Sequence, residues 1–337
     1  MPMNKYIPGM KRLVIFYILI FIGITHTAGQ ENRIVFSPHW LPQAQFAGYY
    51  AALDQGFYAE KGLDVEIIHP SATINALTFL EEGQADIISL FLVSGLEAFR
   101  NGVDLVNIAQ LSQHSAIMFV SKKESGIASI EDFQGKKLGI WMSGFQEVPQ
   151  ALMVERNIQP QWIPIMSTVN LFLLGGIDIM TVMWYNEYNQ LYFSGIDPDE
   201  LNSFFLSDYG YNIPEDGLYT LRQTLNDRPD ELRAFTEASM RGWAYAAANR
   251  EYTVELVVNT MRKANIPSNK AHQRWMLDKV LEMQQTNDKV VYPTQLHPVD
   301  FENTISIIER VRNTSFSLGY HQFFQPVIPF TEYVSQP

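Results

Sequence analysis

Short apolar segments alternate with amphipathic ones at a steady interval through the first third of this chain. The predicted elements, beginning with a strand and alternating with helices, are 33–37, 45–58, 63–68, 71–81, 85–90, 94–100 and 105–110. This alternation indicates βαβ units, and hence an α/β fold in which helices flank a mostly parallel sheet. Ligands of such open sheets bind beyond the carboxyl ends of the strands.

The same alternation continues along the chain and predicts a second lobe. A strand predicted over 117–121 is followed by a charged connector, where we expect the chain to cross. A buried strand at 179–183 belongs to the second lobe, and a strand over 218–222 returns to the first. The predicted lobes are 30–120 together with 215–330, and 121–214. Two crossover segments then leave a hinge and a cleft, which is a favoured place for a ligand.

The N-terminus has the three parts of a secretory signal. Lys11 and Arg12 supply positive charge, 13–24 is almost wholly apolar, and small residues lead to Ala28. The apolar run is shorter than the ~20 residues that span a bilayer as a helix. We therefore predict a signal peptide over 1–28 and a periplasmic or otherwise extracytoplasmic protein. The alternative is an N-terminal anchor that is kept.

Composition excludes several functional classes. The 337 residues carry a formal net charge of −12, and an acidic chain gains nothing from a phosphate backbone, so nucleic acid is not an expected partner. The chain has no cysteine, which rules out disulfides, thiolate metal sites and cysteine nucleophiles. Its sequence contains no zinc-protease, P-loop or nucleophile-elbow motif. We expect a monomer with no cofactor, no metal and no enzymatic activity.

Six short motifs carry a resemblance to a known family. They are WLP at 40–42, FAGYYAA at 46–52, GFY at 56–58, KGLDVE at 61–66, GQADI at 83–87 and IEDFQGKKLG at 130–139. Together they resemble periplasmic binding proteins for thiamin pyrimidine precursors and, more broadly, the nitrate, sulfonate and taurine binders. The resemblance runs from about residue 33 to about residue 250.

This resemblance implies a type II periplasmic-binding-protein fold of two α/β lobes. It also implies delivery of a small-molecule ligand to an ABC transporter permease in the inner membrane. One branch of the family is a yeast-type pyrimidine synthase, which uses a cysteine-rich iron motif and sacrifices a histidine. Because this chain has no cysteine, that motif is absent, and the binding branch is favoured.

Candidate ligand contacts in the first lobe follow the predicted strands. The resemblance aligns His39 with ligand contacts, and the ring of Trp40 could stack on a flat guest. Tyr49 lies on the first helix, where adjacent residues point about 100° apart, so it or its neighbour can face the cleft. Ser89 and Ser94 flank a helix start, whose free N–H groups suit acceptor atoms. The alternatives are core packing for the aromatics and helix capping for Ser94.

The loop at 141–146 supplies the first group of second-lobe candidates. Trp141 or Phe145 could form the other half of an aromatic sandwich, with Ser143 between them. Gly144 would let the backbone approach a ligand closely.

The loop at 183–188 supplies the second group. Trp184, Asn186 and Glu187 follow an apolar strand, and Glu187 stands among aromatics. An ionised carboxylate accepts hydrogen bonds from amino groups, which an aminopyrimidine carries beside a ring nitrogen. The resemblance also places an acidic residue here in pyrimidine binders. The alternative is an exposed glutamate at a helix start. The acids at 215–216, before the return strand, read as a turn.

These observations predict a solute-binding protein of an ABC transporter that captures a small ring ligand, an aminopyrimidine thiamin precursor, in an interlobe cleft. Sulfonate, taurine or nitrate binding is the first alternative, and the absence of Arg and Lys from the proposed loops disfavours it. A membrane-tethered ligand sensor and a pyrimidine synthase are the remaining alternatives.

Overall fold

The computed structural model describes residues 32–71, 74–141, 144, 146–166, 168–285 and 294–328. From Ile34 onward the described residues belong to one compact unit. The predicted signal peptide at 1–28 lies outside the described residues. Within the described ranges, no helix combines the length and the apolar character that crossing a membrane requires.

Two five-stranded sheets organise the described residues. In chain order the strands are β1 (Arg33–Ser37), β2 (Asp64–Ile67), β3 (Ile87–Phe91), β4 (Leu105–Gln110), β5 (Ile117–Lys122), β6 (Lys137–Ile140), β7 (Gln161–Pro164), β8 (Ile179–Met183), β9 (Leu201–Phe205) and β10 (Asp216–Leu221). The first sheet has the order β2-β1-β3-β10-β4, and the second has the order β7-β6-β8-β5-β9. Strands β1, β4 and β8 begin and end where their apolar patterns predict.

Each sheet contains one strand that enters from the other lobe. Strand β10 lies between β3 and β4, and β5 lies between β8 and β9; both run antiparallel to their neighbours. Strand β1 pairs parallel with β3, and β6 pairs parallel with β7 and β8. The sheets are therefore mixed rather than mostly parallel, because each entering strand runs against the strands beside it. The predicted two-lobed α/β architecture is confirmed.

The first crossing comes earlier than predicted. The expected boundary at residue 120 would leave 117–121 in the first lobe, but β5 pairs with β8 and β9 in the second sheet. The chain therefore crosses through 111–116 and returns through 206–215. The charged connector after β5 forms a short turn that ends at Gly126. Exposed charge marks a solvated turn in either lobe, so it could not locate the crossing.

Helices connect and flank the strands. In chain order they are α1 (Ala47–Asp54), α2 (Phe57–Glu60), α3 (Ala76–Glu81), α4 (Leu92–Arg100), α5 (Glu147–Glu155), α6 (Asn170–Leu173), α7 (Glu187–Phe193), α8 (Arg222–Asp227), α9 (Pro229–Ala248), α10 (Arg250–Lys263), α11 (Lys270–Met283), α12 (Pro298–Arg312) and α13 (Tyr320–Phe323).

The helix predicted over 45–58 is divided into three pieces. A 3-10 turn at Ala44–Phe46 leads into α1, and Gly56 then adopts a φ of 73° before α2 begins. Glycine takes that conformation at no steric cost, so the chain changes direction there. Helix α1 packs against α9 at a close approach of two glycines: a Cβ atom on Gly242 would lie 2.1 Å from the carbonyl oxygen of Gly48.

Two of the C-terminal helices contact both lobes. Helix α11 packs against the 3-10 turn at Ala44–Phe46 in the first lobe and against α7 in the second. Helix α12 packs against α4 in the first lobe and α5 in the second. These helices therefore flank the space between the lobes, where the functional site is expected.

Candidate functional site

A cavity of about 680 Å³ lies at the carboxyl ends of strands from both sheets. The loops that follow β1, β3, β6 and β8 form much of its wall. Residues of α11 and α12 complete it from the C-terminal part of the chain. This is the position that open α/β sheets provide for a ligand.

His39 is held against the first sheet by a buried serine. Its backbone N–H donates to Ser89 Oγ at 3.0 Å, and its Nδ1 lies 2.9 Å from the same oxygen. The centroid of its ring is 4.6 Å from that of Phe91. Burial, with a smaller contribution from His69, lowers the pKa of His39 to about 3, so the imidazole is neutral at pH 7. A neutral imidazole presents one donor and one acceptor.

A pair of acids lies behind His39, where the chain re-enters the first sheet. Gln45 Nε2 donates to the two carboxylate oxygens of Asp216 at 3.0 and 3.2 Å. Burial raises the pKa of Asp216 to about 7, although the hydrogen bond from Gln45 opposes the shift. The adjacent Glu215 accepts a hydrogen bond from the backbone N–H of Ala116 at 2.5 Å, and burial raises its pKa well above the usual range. The two acids thus support the cleft wall, which a simple surface turn would not do.

Glu187 begins α7 and lines the cavity. Its Oε2 accepts from the backbone N–H of Met183 at 3.0 Å, and its Oε1 accepts from the Asn186 amide at 2.7 Å. Only 6% of Glu187 is exposed, so it is not an exposed glutamate at a helix start. Burial raises its pKa to about 7 in spite of these hydrogen bonds.

A histidine from α11 connects this loop to the C-terminal region. His272 Nε2 lies 3.0 Å from Asn186 Oδ1, and its Nδ1 lies 2.8 Å from Asn189 Oδ1. Burial lowers the pKa of His272 to about 4, so this ring is also neutral at pH 7.

Aromatic rings from both lobes contribute to the lining, namely His39, Trp40, Phe91, Trp141 and Tyr185. Trp40 remains 41% exposed at the rim. Trp141 Nε1 donates to the carbonyl oxygen of Met166 at 3.3 Å, which orients the indole ring. Offset or edge-to-face contact with such rings adds roughly 0.5–1.5 kcal/mol beyond burial for an aromatic guest.

Carboxylates outnumber cations in the lining. Among the described residues that line the cavity, the acids are Glu97, Glu147 and Glu187, and Arg312 alone carries a permanent positive charge. The Arg312 guanidinium is already paired, since its Nε lies 3.0 Å from Glu97 and its Nη2 lies 2.8 Å from Glu147. The cavity therefore suits a neutral or cationic guest with hydrogen-bond donors better than it suits an anion.

Six of the predicted contacts line the cavity: His39, Trp40, Ser94, Trp141, Asn186 and Glu187. Ser94 Oγ donates to the carbonyl oxygen of Gly144, which joins the two lobes at this point. Ser89 is fully buried and positions His39 from behind. Ser143 and Phe145 lie outside the described residues. That these side chains bind the ligand stays a prediction.

The predicted cleft position of Tyr49 is wrong. Its ring centroid lies 4.5 Å from that of Phe36 and 5.8 Å from that of Trp243, and 2% of the residue is exposed. Helix α1 is buried from Ala47 to Ala52, so both of its tyrosines are enclosed in the core. The aromatic periodicity of this helix reflects packing against α9.

The predicted cleft position of Trp184 is also wrong. Lys279 Nζ lies 4.1 Å from the centroid of its ring, and Trp275 Nε1 donates to its carbonyl oxygen at 3.0 Å. Trp184 lies in a turn that follows β8 and is closed by a hydrogen bond from the Asn186 N–H to the Met183 carbonyl oxygen at 3.0 Å. The next residue of this turn, Tyr185, lines the cavity in its place.

Four further residues shape the site without having been predicted: Gln45, Asp216, His272 and Arg312. For Asp216 a signal existed, because two adjacent acids precede an apolar strand at the return crossing. His272 and Arg312 belong to helices far along the chain, and no local pattern connects them to the cleft.

A family model described as NMT1/THI5 like matches residues 43–252, which is more than half of the chain. The chain belongs to the NMT1/THI5-like family. This confirms the resemblance that the six sequence motifs carry. In this NMT1/THI5-like chain, the matched region includes most of the cavity wall but ends before α11 and α12.

The matches to two bacterial relatives span about two thirds of this chain and about two thirds of each relative. The chain is 25% identical over 245 residues to the riboflavin-binding protein RibY of Chloroflexus aurantiacus, covering 70% of this chain and 68% of RibY. It is 23% identical over 239 residues to the formylaminopyrimidine-binding protein of Halalkalibacterium halodurans, covering 68% and 70%. A 4-amino-5-hydroxymethyl-2-methylpyrimidine phosphate synthase of Saccharomyces cerevisiae is 28% identical over 111 residues, 32% of each chain.

The solved structures establish the fold. The periplasmic aliphatic sulphonate binding protein SsuA from Escherichia coli superposes with a TM-score of 0.66 at 16% identity, covering 88% of this chain and 92% of SsuA. The periplasmic-binding-protein fold that the motifs imply is thereby confirmed.

Proposed function

We propose that this chain is an exported solute-binding protein that captures a small nitrogen-containing ring compound, an aminopyrimidine of the thiamin-precursor kind, in the interlobe cavity. The observation that carries the proposal is the composition of the cavity wall. Aromatic rings and carboxylates converge on it from both lobes, and the single guanidinium of the described lining is already paired with two acids.

The environment of Glu187 complements an aminopyrimidine. An exocyclic amino group donates to a carboxyl oxygen, and the adjacent ring nitrogen accepts from a protonated carboxyl or donates when it is itself protonated. With a pKa of about 7, Glu187 can serve in either state at neutral pH. A ring held there would also lie within a wall that contains Trp40 and Trp141.

An anionic ligand is the weaker alternative. Sulfonate, taurine or nitrate would have to bind near Glu187, and Arg312, the one permanent cation of the described lining, is already paired with Glu97 and Glu147. A buried anion without a partner is costly. The neutral His39 and His272 add no positive charge at pH 7. Similarity in fold to a sulphonate binder does not carry ligand specificity.

A flavin-sized ring compound is a second candidate. The cavity of about 680 Å³ is in the range of roughly 300–1,000 Å³ that holds drug-sized ligands, so it has room for more than one ring. RibY, one of the relatives, is named as a riboflavin-binding protein. The two candidates share the aromatic and donor-bearing chemistry and differ in size.

Transport fits the proposed binding role. A soluble binding protein outside the cytoplasm would present its ligand to an ABC transporter permease and would work as a monomer. A ligand sensor held at a membrane would use the same cavity but keep the N-terminal segment. Sequencing the N-terminus of the exported protein separates the two, since removal of 1–28 excludes the anchor.

A pyrimidine synthase is the least supported alternative. The yeast synthase matches only 32% of this chain, and a cysteine-rich motif cannot occur in a chain without cysteine. Incubation with pyridoxal phosphate and iron, followed by a search for pyrimidine product, tests it directly. Product formed in proportion to protein would support the synthase.

Calorimetric titration with a panel of ligands tests the proposal. The panel contains 4-amino-5-hydroxymethyl-2-methylpyrimidine, its N-formyl aminomethyl analogue, riboflavin, taurine and nitrate. We expect a ring compound to bind and the anions not to bind. Binding of taurine or nitrate in preference to all ring compounds would refute the proposal. Native mass spectrometry of protein purified from its own host would identify a ligand that is already bound.

A further inference from the structure

The last turn of α12 places an arginine at the edge of the cavity. The helix ends after Arg312 because Asn313 takes a left-handed conformation with a φ of 50°. A cation in the last turn is favoured by the negative end of the helix dipole. Helix α12 lies against α4 of the first lobe and α5 of the second, so this side chain can reach both.

Arg312 joins one acid from each lobe. Its Nε lies 3.0 Å from Glu97 Oε1 on α4, and its Nη2 lies 2.8 Å from Glu147 Oε1 on α5. The other oxygen of Glu97 is held by Arg100, at 2.7 Å from Nη2. The two glutamate side chains are 11% and 7% exposed, and all three members of the bridge line the cavity.

A second arginine attaches the same helix to the second lobe. Arg310 Nη1 lies 2.6 Å from Glu155 Oε2 on α5, and the Tyr211 hydroxyl donates to that oxygen at 2.9 Å. Tyr211 belongs to the return crossing at 206–215. Helix α12 is thus fastened to the second lobe at two points, whereas the ion pair with Glu97 is its charged contact with α4.

We propose that Arg312, with Glu97 and Glu147, forms an interlobe latch that holds the two lobes closed over the cavity and must open for a ligand to enter or leave. The proposal rests on the proposed function only in assigning the cavity to a ligand. In this proposal Arg312 is a positioning residue: it affects ligand binding by setting how far apart the two lobes are.

The burial of the two acids gives the latch its strength. Removing one partner of a largely buried ion pair leaves the other charge uncompensated, which costs far more than loss of an exposed pair. Without Arg312, Glu147 would lose its cationic partner, while Glu97 would keep Arg100 at 2.7 Å. Separation of the lobes would then let water reach the Glu147 carboxylate.

The absence of cysteine makes the test direct. The substitutions Asp64→Cys, in the first lobe, and Lys136→Cys, in the second, introduce two unique and exposed attachment points for spin labels. Electron–electron distance measurements on the ligand-free full chain report how far apart the lobes are. The comparison uses the labelled parent, Arg312→Gln, Arg312→Lys and Glu147→Gln. Arg274→Gln is the matched control, because Arg274 makes a two-contact ion pair with Glu251 within α10 and α11.

We expect Arg312→Gln and Glu147→Gln to shift the distance distribution to longer values, Arg312→Lys to shift it less, and Arg274→Gln to leave it unchanged. The Arg312 side chain is 38% exposed while its glutamate partners are largely buried, so salt screens this bridge only in part. Raising the salt to 1 M, where the screening length is about 3 Å, should lengthen the parent distances less than Arg312→Gln does and should leave the Arg312→Gln distances unchanged. Unchanged distances in folded Glu147→Gln would overturn the latch, even if Arg312→Gln failed to fold. The ligand panel is measured separately on the unlabelled chain, so failure of the latch and failure of the proposed ring specificity give different results.

Discussion

Burial moves four titratable groups at the site toward their uncharged forms. They are Glu187 and Asp216, with pKa values of about 7, and His39 and His272, with pKa values of about 3 and 4. Each shift has desolvation as its largest cause, and the hydrogen bonds to Glu187 and Asp216 oppose it. Three of these groups, Glu187, His39 and His272, line the cavity, where they offer donors and acceptors to a polar ring.

Glu187→Gln tests the role of this carboxyl in binding. Gln keeps the size of the side chain but removes the charge and one acceptor oxygen, so we expect aminopyrimidine affinity to fall by about 1–3 kcal/mol. Calorimetric titration measures the loss. Glu124→Gln is the matched control, because that side chain is 81% exposed, away from the cavity lining. Equal affinities of parent and Glu187→Gln would remove Glu187 from the site.

Asp216 should make the stability of the protein depend on pH in a definite direction. Its pKa is raised from 3.8 to about 7, so the folded protein holds this proton more tightly than the unfolded chain does. Its contribution to the free energy of unfolding is therefore fully present below pH 3.8 and is lost as the pH rises to about 7. His39, with its lowered pKa, acts in the opposite sense between pH 6.5 and about 3.

Asp216→Asn isolates the carboxylate contribution. Asn cannot ionise, so we expect the variant to gain stability relative to the parent as the pH rises from 4 to 7, by about 1.4 kcal/mol per unit of the pKa shift at most. Asn keeps one acceptor oxygen for Gln45, and loss of the second contact adds an offset that does not vary with pH. Urea unfolding at pH 4, 5.5 and 7 measures the difference. A difference that is constant over this range would show that Asp216 titrates normally.

At the scale of elements, apolar periodicity predicted the existence and the type of the helices and strands better than it predicted where they begin and end. Strands β1, β4 and β8 were predictable because each is a short, mostly apolar run that is mostly buried. The sequence could not show that the helix predicted over 45–58 is broken, because the spacing of its aromatic residues continues through Gly56. The lobe to which β5 belongs could not be predicted for a different reason. Strand pairing is decided by partners that are distant in the sequence, and the apolar sequence of β5 is compatible with either sheet.

The close approach of α1 and α9 makes Gly242 a sensitive position. In an exposed helix, Gly→Ala stabilises by roughly 0.5–1 kcal/mol, but here the new Cβ would meet backbone at 2.1 Å. We expect Gly242→Ala to destabilise the protein by about 1–3 kcal/mol, because the helices must move apart. Ala244→Ser, on the exposed face of α9, should stay within about 0.5 kcal/mol. Denaturant unfolding compares them, and a stabilised Gly242→Ala would contradict the packing.

At the scale of the molecule, the cavity joins parts of the chain that are far apart in sequence. The strand-end loops that line it could be predicted, since the βαβ alternation fixes which end of the sheet is open. His272 and Arg312 could not, because they reach the site only through the docking of α11 and α12 on both lobes. These helices contact both lobes and therefore oppose the opening of the cavity that we propose.

A ligand that contacts both lobes should stabilise them together. Binding to the folded state alone raises the free energy of unfolding by about 2.7 kcal/mol at a ligand concentration one hundred times the Kd. Because the described lining includes Trp40 from the first lobe and Trp141 from the second, neither lobe can unfold without releasing the ligand. We therefore expect the thermal transitions followed by far-ultraviolet circular dichroism and by tryptophan fluorescence to rise by the same amount. If the ligand instead split one transition into two and raised only the upper one, it would be bound by a single lobe, and the cavity between the lobes would not be its site.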